Sequence, residues 1–253
     1  MTSSFEQAGM ATGYARFRPP VHRKILERAI APGTVFQRAL DVGCGAGMST
    51  QALAGFADFV IGMEPVAGML PTGPGYFAGA AEAIPVHTDS IDLITAAGSL
   101  NYTDLPLFFP EAARVLRNDG FLIVYDFEPG RSFRDSAKLD DWFDTFIARY
   151  PWPPHEGQEL NPEILSALAA GFRQERRERF EIALPLARAF YSEYMLTETN
   201  VAFAMRKGIA RDEIQSWCTN TLNEFWKEGD REILFRGYYA CFAKMRADAR
   251  PRA

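Results

Sequence analysis

Cysteine and histidine are both scarce, three of each in 253 residues. Cys44, Cys218 and Cys241 are odd in number, far apart and never in a Cys-x-x-Cys pair. That argues against a disulfide framework and a structural zinc site, and no metal is expected. No run of about 18 apolar residues is present to span a bilayer. The opening Met-Thr-Ser-Ser-Phe-Glu-Gln lacks the basic flank and apolar stretch of a signal peptide. Positive charge is short too: 27 Lys and Arg stand against 32 Asp and Glu, a net −5. No overall basic field holds a polyanion, so nucleic acid is not an expected partner. These absences together lead us to expect a cytoplasmic protein. What is present is ordinary: 47% hydrophobic and 23% charged residues exclude a disordered or fibrous chain. The length suits one large α/β domain over 1–253.

Along the first half, apolar strand-like runs alternate with helical patterns, the rhythm of parallel β-α-β units. Strands are expected over 36–41, 59–63, 91–96 and 121–126, with a weaker one over 76–79. Their near-continuous apolar character suits strands buried on both faces. Between them lie a short helix after Gly47 and a longer one over 105–116, capped by Asp104 and followed by an Asn118-Asp119-Gly120 turn. Residues 131–170 break the rhythm, with two helical patterns separated by Pro151-Trp152-Pro153-Pro154 and the second opened by Asn161-Pro162. A strand over 179–184, helices over 192–203 and 212–227, and a final strand over 233–245 complete about seven strands.

The segment richest in chemistry is Ala39-Leu-Asp-Val-Gly-Cys-Gly-Ala-Gly-Met-Ser-Thr50. A buried strand ends in Asp41, glycines follow at 43, 45 and 47, and a helix begins. Glycine at alternate positions permits a tight turn and close approach of a ligand to the backbone. The nicotinamide dinucleotide fingerprint wants a glycine where Met48 stands. The acid ahead of the first glycine would repel a pyrophosphate and attract a ligand bearing an ammonium group. A second acid, Glu64, ends the next strand, where a carboxylate can accept from both hydroxyls of a ribose.

The chain resembles the class I S-adenosylmethionine-dependent methyltransferases, in the small-molecule, type 11-like branch. The resemblance is carried by Leu40-Asp-Val-Gly-Cys-Gly-Ala-Gly47, Glu64, Gly79-Ala-Ala-Glu-Ala-Ile-Pro85, Ile91-Asp-Leu-Ile-Thr-Ala-Ala97 and Glu111-Ala-Ala-Arg-Val-Leu-Arg-Asn-Asp-Gly120. It implies a Rossmann-like α/β fold: a seven-stranded, mostly parallel sheet with an antiparallel last strand, helices on both faces, and a helical insert between strands five and six. The implied cofactor is S-adenosylmethionine, with S-adenosylhomocysteine as product. Asp41, Gly43, Cys44, Gly45 and Gly47 would hold its methionine portion, Glu64 its ribose, and Met69 the adenine face. Ala81 and Glu82 would reach the adenine amino group, and Ala97 and Gly98 would pass close to the sulfonium. Residues 1–31 would fold over the cofactor, Tyr14 covering the methionine portion and Arg18 pairing with its carboxylate. Cys44 reads as a small packing residue, not a nucleophile.

The reagent in such a reaction is already activated, so alignment and exclusion of water do most of the work. The acceptor side is correspondingly thin in signal. Asn101 and Tyr102 follow strand four, Asp126 and Glu128 end strand five, and His155 lies in the proline-rich break as a candidate base. The insert 131–170, with Trp142, Phe143, Phe146, Tyr150 and Trp152, reads either as a substrate-covering lid or as core packing. The expected activity is methyl transfer to a small molecule; the alternatives are an RNA or protein methyltransferase, or a noncatalytic cofactor-binding protein.

Overall fold

The computed structural model describes residues 17–154 and 157–245. Among these the elements run α1 (Val21–Ala29), β1 (Phe36–Val42), α2 (Met48–Ala52), β2 (Ala57–Glu64), β3 (Tyr76–Ala78), β4 (Ile91–Ala97), α3 (Leu105–Val115) and β5 (Leu116–Phe127). Then follow β6 (Ser132–Phe133), α4 (Lys138–Arg149), α5 (Pro162–Leu168), β7 (Phe172–Ala187), α6 (Arg188–Met195), α7 (Thr199–Arg206), α8 (Arg211–Phe225) and β8 (Asp230–Lys244). The sheet order is β3-β2-β1-β4-β5-β8-β6, with β7 also pairing β8. The β1–β2, β1–β4, β2–β3 and β4–β5 pairs are parallel, while β6 and β8 are antiparallel. This is the expected mixed α/β sheet, extended by the two-residue strand β6.

The central parallel strands β1, β4 and β5 form where their residues are apolar and covered on both faces, whereas β2, with Phe59 exposed, and β3, with no buried residue, lie toward the sheet edge. In β1, residues 39–42 are all buried, as are Leu93, Ile94 and Ala96 in β4 and Leu122, Ile123 and Val124 in β5. Helix α3 starts where its sequence says it should: the Asp104 side chain accepts from Leu107 N, and Leu105, Phe108, Phe109, Ala112 and Val115 make its buried face. The Asn118-Asp119-Gly120 turn is present as a bulge inside β5. The register jumps from Ile91↔Leu116 to Leu93↔Phe121, and Asp119 takes a left-handed φ of 64°.

By contact density the chain divides into two compact units. The larger comprises residues 22–126, 157–179 and 238 onward. Its core gathers Leu40, Val42, Ile94, Phe108, Leu122 and Phe242, with Phe109 in edge contact with Phe172 and Phe242. The smaller comprises residues up to 21, 127–156 and 180–237. Its core is an aromatic stack in which Trp142 lies on Phe146 at 5.3 Å and on Trp217 at 5.7 Å, and Trp142 Nε1 donates to Thr221 Oγ1 (2.8 Å).

Three expectations need adjustment. The segment 131–170 is not one body: α4 belongs to the smaller unit, whereas α5 lies in the larger. The helix expected over 192–203 is two helices, α6 and α7, separated at 196–198. Strand β7 is also far longer than 179–184: it pairs β8, and its first half, mostly charged and exposed apart from the buried Phe172, sets Arg177 and Arg179 on Glu163 at the surface.

Candidate functional site

The glycine loop leaves β1 with Gly43, Gly45 and Gly47 all at left-handed φ, 70°, 51° and 82°. That region disfavours residues with a Cβ. At Gly43 there is no room either: a Cβ would lie 2.2 Å from Ser99 Cβ, and Ser99 is itself fixed by donating to Val42 O (2.7 Å). The loop is fastened to the end of β2 because Gly43 N and Cys44 N both donate to Met63 O (2.8 and 3.0 Å). The helix that follows, α2, has only five residues and no side-chain cap, so its dipole contributes little, and the loop N–H groups at 43, 44, 45 and 47 are taken by Met63 O, Glu64 Oε2 and Cys44 O.

Two carboxylates converge on this loop with different surroundings. Asp41 is wholly buried. Its Oδ2 accepts from Ser49 Oγ (2.5 Å) and Thr50 Oγ1 (2.8 Å), and its Oδ1 from Thr95 Oγ1 (2.8 Å). Burial raises its pKa above the ordinary range, the three hydroxyls oppose that, and the charge of Glu64 adds to it. Asp41 therefore ties β1 to α2 and β4 from inside. Glu64 stands at the carboxyl end of β2, where Oε2 accepts from Gly45 N (3.1 Å) and Oε1 from Val66 N (3.0 Å). Each oxygen keeps a second acceptor position, and the two backbone donors fix the plane of the carboxylate. Cys44 is buried, and desolvation first, then the Asp41 and Glu64 charges, push its thiol up to about 12. It stays protonated at neutral pH, in keeping with a packing role.

The remaining predicted residues cluster around the same strand ends with a few exceptions. Met69 lies in the 3-10 turn after β2, and its Cε is 3.4 Å from a Cβ built on Gly45. Ala81 is buried. Glu82 Oε1 accepts from Asp104 N (2.9 Å), tying the loop after β3 to the start of α3. Ala97 ends β4, and Gly98 follows with φ 61° and donates to Tyr125 O (2.9 Å). Asn101 Nδ2 donates to Asp126 Oδ2 (3.0 Å), and Tyr102 is exposed. Arg18, expected on a cofactor carboxylate, is engaged within the smaller unit instead: Nη1 donates to Glu198 Oε1 (2.9 Å), Nη2 to Thr197 O (3.2 Å), and the guanidinium lies 5.3 Å from the Tyr194 ring centroid. Tyr14 and His155 lie outside the described residues.

One contributor was not anticipated. Glu111 and Arg114, a pair at i,i+3 on α3, clamp the loop that carries Ala81 and Glu82. Glu111 Oε2 accepts from Ile84 N (2.9 Å), while Arg114 donates to Ile84 O (2.8 Å), Val86 O (2.9 Å) and Glu111 itself (2.7 Å). Both residues stand in the sequence block Glu111-Ala-Ala-Arg114, but only the long-range carbonyl partners reveal what they do. Among the described residues no cluster of His, Cys, Asp and Glu could hold a metal ion, and no helix is long and apolar enough to cross a membrane.

A glycine loop after β1 and an acid at the end of β2 thus stand together at the carboxyl edge of a mostly parallel α/β sheet. Comparison with known proteins makes that specific. Residues 40–124 match the family described as a methyltransferase domain. A provisionally named methyltransferase of Dictyostelium discoideum is 37% identical over 94 residues, 35% of this chain and 36% of that protein. The aligned stretch thus spans about a third of that curated relative. Among solved structures, a provisionally named type II methyltransferase from Anaeromyxobacter dehalogenans superposes with a TM-score of 0.60 at 22% identity, over 89% of this chain and 95% of that one. Phosphoethanolamine N-methyltransferase 2 of Haemonchus contortus, in complex with S-adenosyl-L-methionine, superposes with a TM-score of 0.53 at 12% identity, over 97% of this chain and 61% of that one. Residues 40–124 thus resemble a methyltransferase domain, and the chain has the fold of these solved methyltransferases.

Proposed function

We propose that this protein transfers the methyl group of S-adenosylmethionine to a small-molecule acceptor. The observation that carries the proposal is the pairing of the left-handed loop Gly43–Gly47 with Glu64, whose oxygens are held in place by Gly45 N and Val66 N. The residues present fit the cofactor. The loop is a cradle that side chains would fill, with a Cβ at Gly47 falling 2.8 Å from both Pro71 Cγ and the Tyr76 hydroxyl. Glu64 would accept from the ribose hydroxyls, Met69 would lie on the adenine face, and the loop bearing Ala81 and Glu82 would border the adenine edge. Ala97 and Gly98 would line the reacting end. When bound, the cofactor supplies an electrophilic methyl on a sulfonium. The chain's part is to align that methyl with the acceptor and to keep water out.

The small-molecule acceptor is supported by the net charge of −5, which gives a nucleic acid no general attraction. Trp152 is the most exposed of the insert's aromatics, 37% against 6% or less for Trp142, Phe143, Phe146 and Tyr150. The four buried rings pack the smaller unit. A screen of small-molecule extracts, RNA and protein with isotope-labelled S-adenosylmethionine, read by mass spectrometry, tests the function. Label should appear in a small molecule; label confined to RNA or protein would overturn that choice.

A further inference from the structure

We infer that Asp126 is the group that receives the acceptor's proton, and hence that the acceptor's nucleophilic atom is a hydroxyl or amine rather than a carboxylate. This rests on the methyltransferase reading above. Register places Ala97 of β4 beside Tyr125 of β5, so Gly98 and Asp126 leave the sheet side by side. At Gly98, with φ 61°, a Cβ would fall 3.0 Å from Asp126 Oδ1. The other oxygen, Oδ2, accepts from Asn101 Nδ2 at 3.0 Å. The turn that presents Asn101 is pinned in its own right: Asn101 O accepts from Gln158 N (2.8 Å), and Gln158 Nε2 donates to Thr103 O (2.8 Å). Asp126 is thus half-buried, with Oδ2 on Asn101 and Oδ1 beside Gly98, the backbone we assign to the reacting end of the cofactor.

Its neighbours cannot take its place. The Asn101 amide is no base. Burial raises the Tyr238 phenol above its ordinary pKa, and the charge of Asp126 raises it further, so Tyr238 is already protonated at neutral pH. A carboxylate acceptor would bring a second anion against Asp126, which like-charge repulsion disfavours. A hydroxyl or a neutral amine N–H would instead donate to it. As the acceptor's nucleophilic atom bonds to the methyl carbon, the carbon–sulfur bond breaks and its electron pair stays on sulfur. The acceptor's proton passes to an Asp126 oxygen and then to water, leaving methylated acceptor and a neutral thioether. Asn101 is a positioning residue in this scheme.

Calorimetry with two cofactor analogues tests this without knowledge of the acceptor. S-adenosylhomocysteine has nothing at the methyl position, whereas sinefungin carries a protonated amine there. Asp126→Asn should weaken sinefungin by roughly tenfold or more, in the range of a hydrogen bond to a charged group, and leave S-adenosylhomocysteine unchanged. Asn101→Ala should shift the same ratio in the same direction by a smaller factor. Equal losses for both analogues in Asp126→Asn, or no loss for either, would overturn the inference. A wild-type protein that binds neither analogue would overturn the methyltransferase reading beneath it as well.

Discussion

Arg18 shows how far a side chain's role depends on partners distant in sequence. Its pattern, an arginine beside aromatics near the start of the chain, suggested a contact with the cofactor. The structure pairs it with Glu198, 180 residues away, and both side chains are largely removed from water, 15% and 6% exposed. Burial raises the Glu198 carboxyl, and the Arg18 charge, then a hydrogen bond from Tyr194, oppose this. A lone buried charge is costly, so Arg18→Ala should destabilise the protein by about 3 kcal/mol. Arg18→Ala combined with Glu198→Gln should regain part of that. Chemical denaturation measures both, and S-adenosylhomocysteine affinity should be unaltered in the single variant once folded. A loss of affinity without a loss of stability would return Arg18 to the cofactor. Asp41 carries a related lesson. Its position before the glycines was plain in the sequence, but its three hydroxyl partners make it a brace for the loop, and two of them, Ser49 and Thr50, stood just past the motif.

At the scale of elements, the clamp of α3 on the loop after β3 yields a pH-dependent expectation. The hydrogen bond from Arg114 is the main influence holding the Glu111 carboxyl below its ordinary pKa, with Ile84 N helping. A carboxyl lowered in the folded state contributes stability above its unfolded pKa and loses it as pH falls through the folded value. Wild type should therefore be more stable than Glu111→Gln at neutral pH, and the gap should close on acidification. Urea titrations of the two across that range check it; a gap independent of pH would mean the clamp works through shape alone. The strands β1, β4 and β5 were legible because burial on both faces leaves an apolar run, and β2 was legible through its apolar residues 59–61 although Phe59 is exposed. Strand β7 was legible only where it alternates. In its first half Arg176 is held by the Tyr239 hydroxyl and Arg179 by Glu163, contacts that composition cannot announce. The break between α6 and α7 was hidden for a similar reason: Glu198 turns inward to meet Arg18, and nothing local marks it.

For the whole molecule, the loop and the acid at residue 64 were readable because backbone geometry demands glycine and the next strand end is a short, fixed distance away. The acceptor side was not, because displacement at an activated methyl requires no fixed set of catalytic side chains and so leaves no fixed motif. Everything said of the reaction depends on the proposed cofactor site in the larger unit. Its most direct test is calorimetric titration of S-adenosylhomocysteine and, separately, NAD into wild type and Glu64→Ala. The account predicts saturable binding of S-adenosylhomocysteine alone, weakened by about 1.5–3 kcal/mol in Glu64→Ala, the range for hydrogen bonds to a charged group. Saturable NAD binding with no response to S-adenosylhomocysteine, or unchanged affinity in a folded Glu64→Ala, would contradict it.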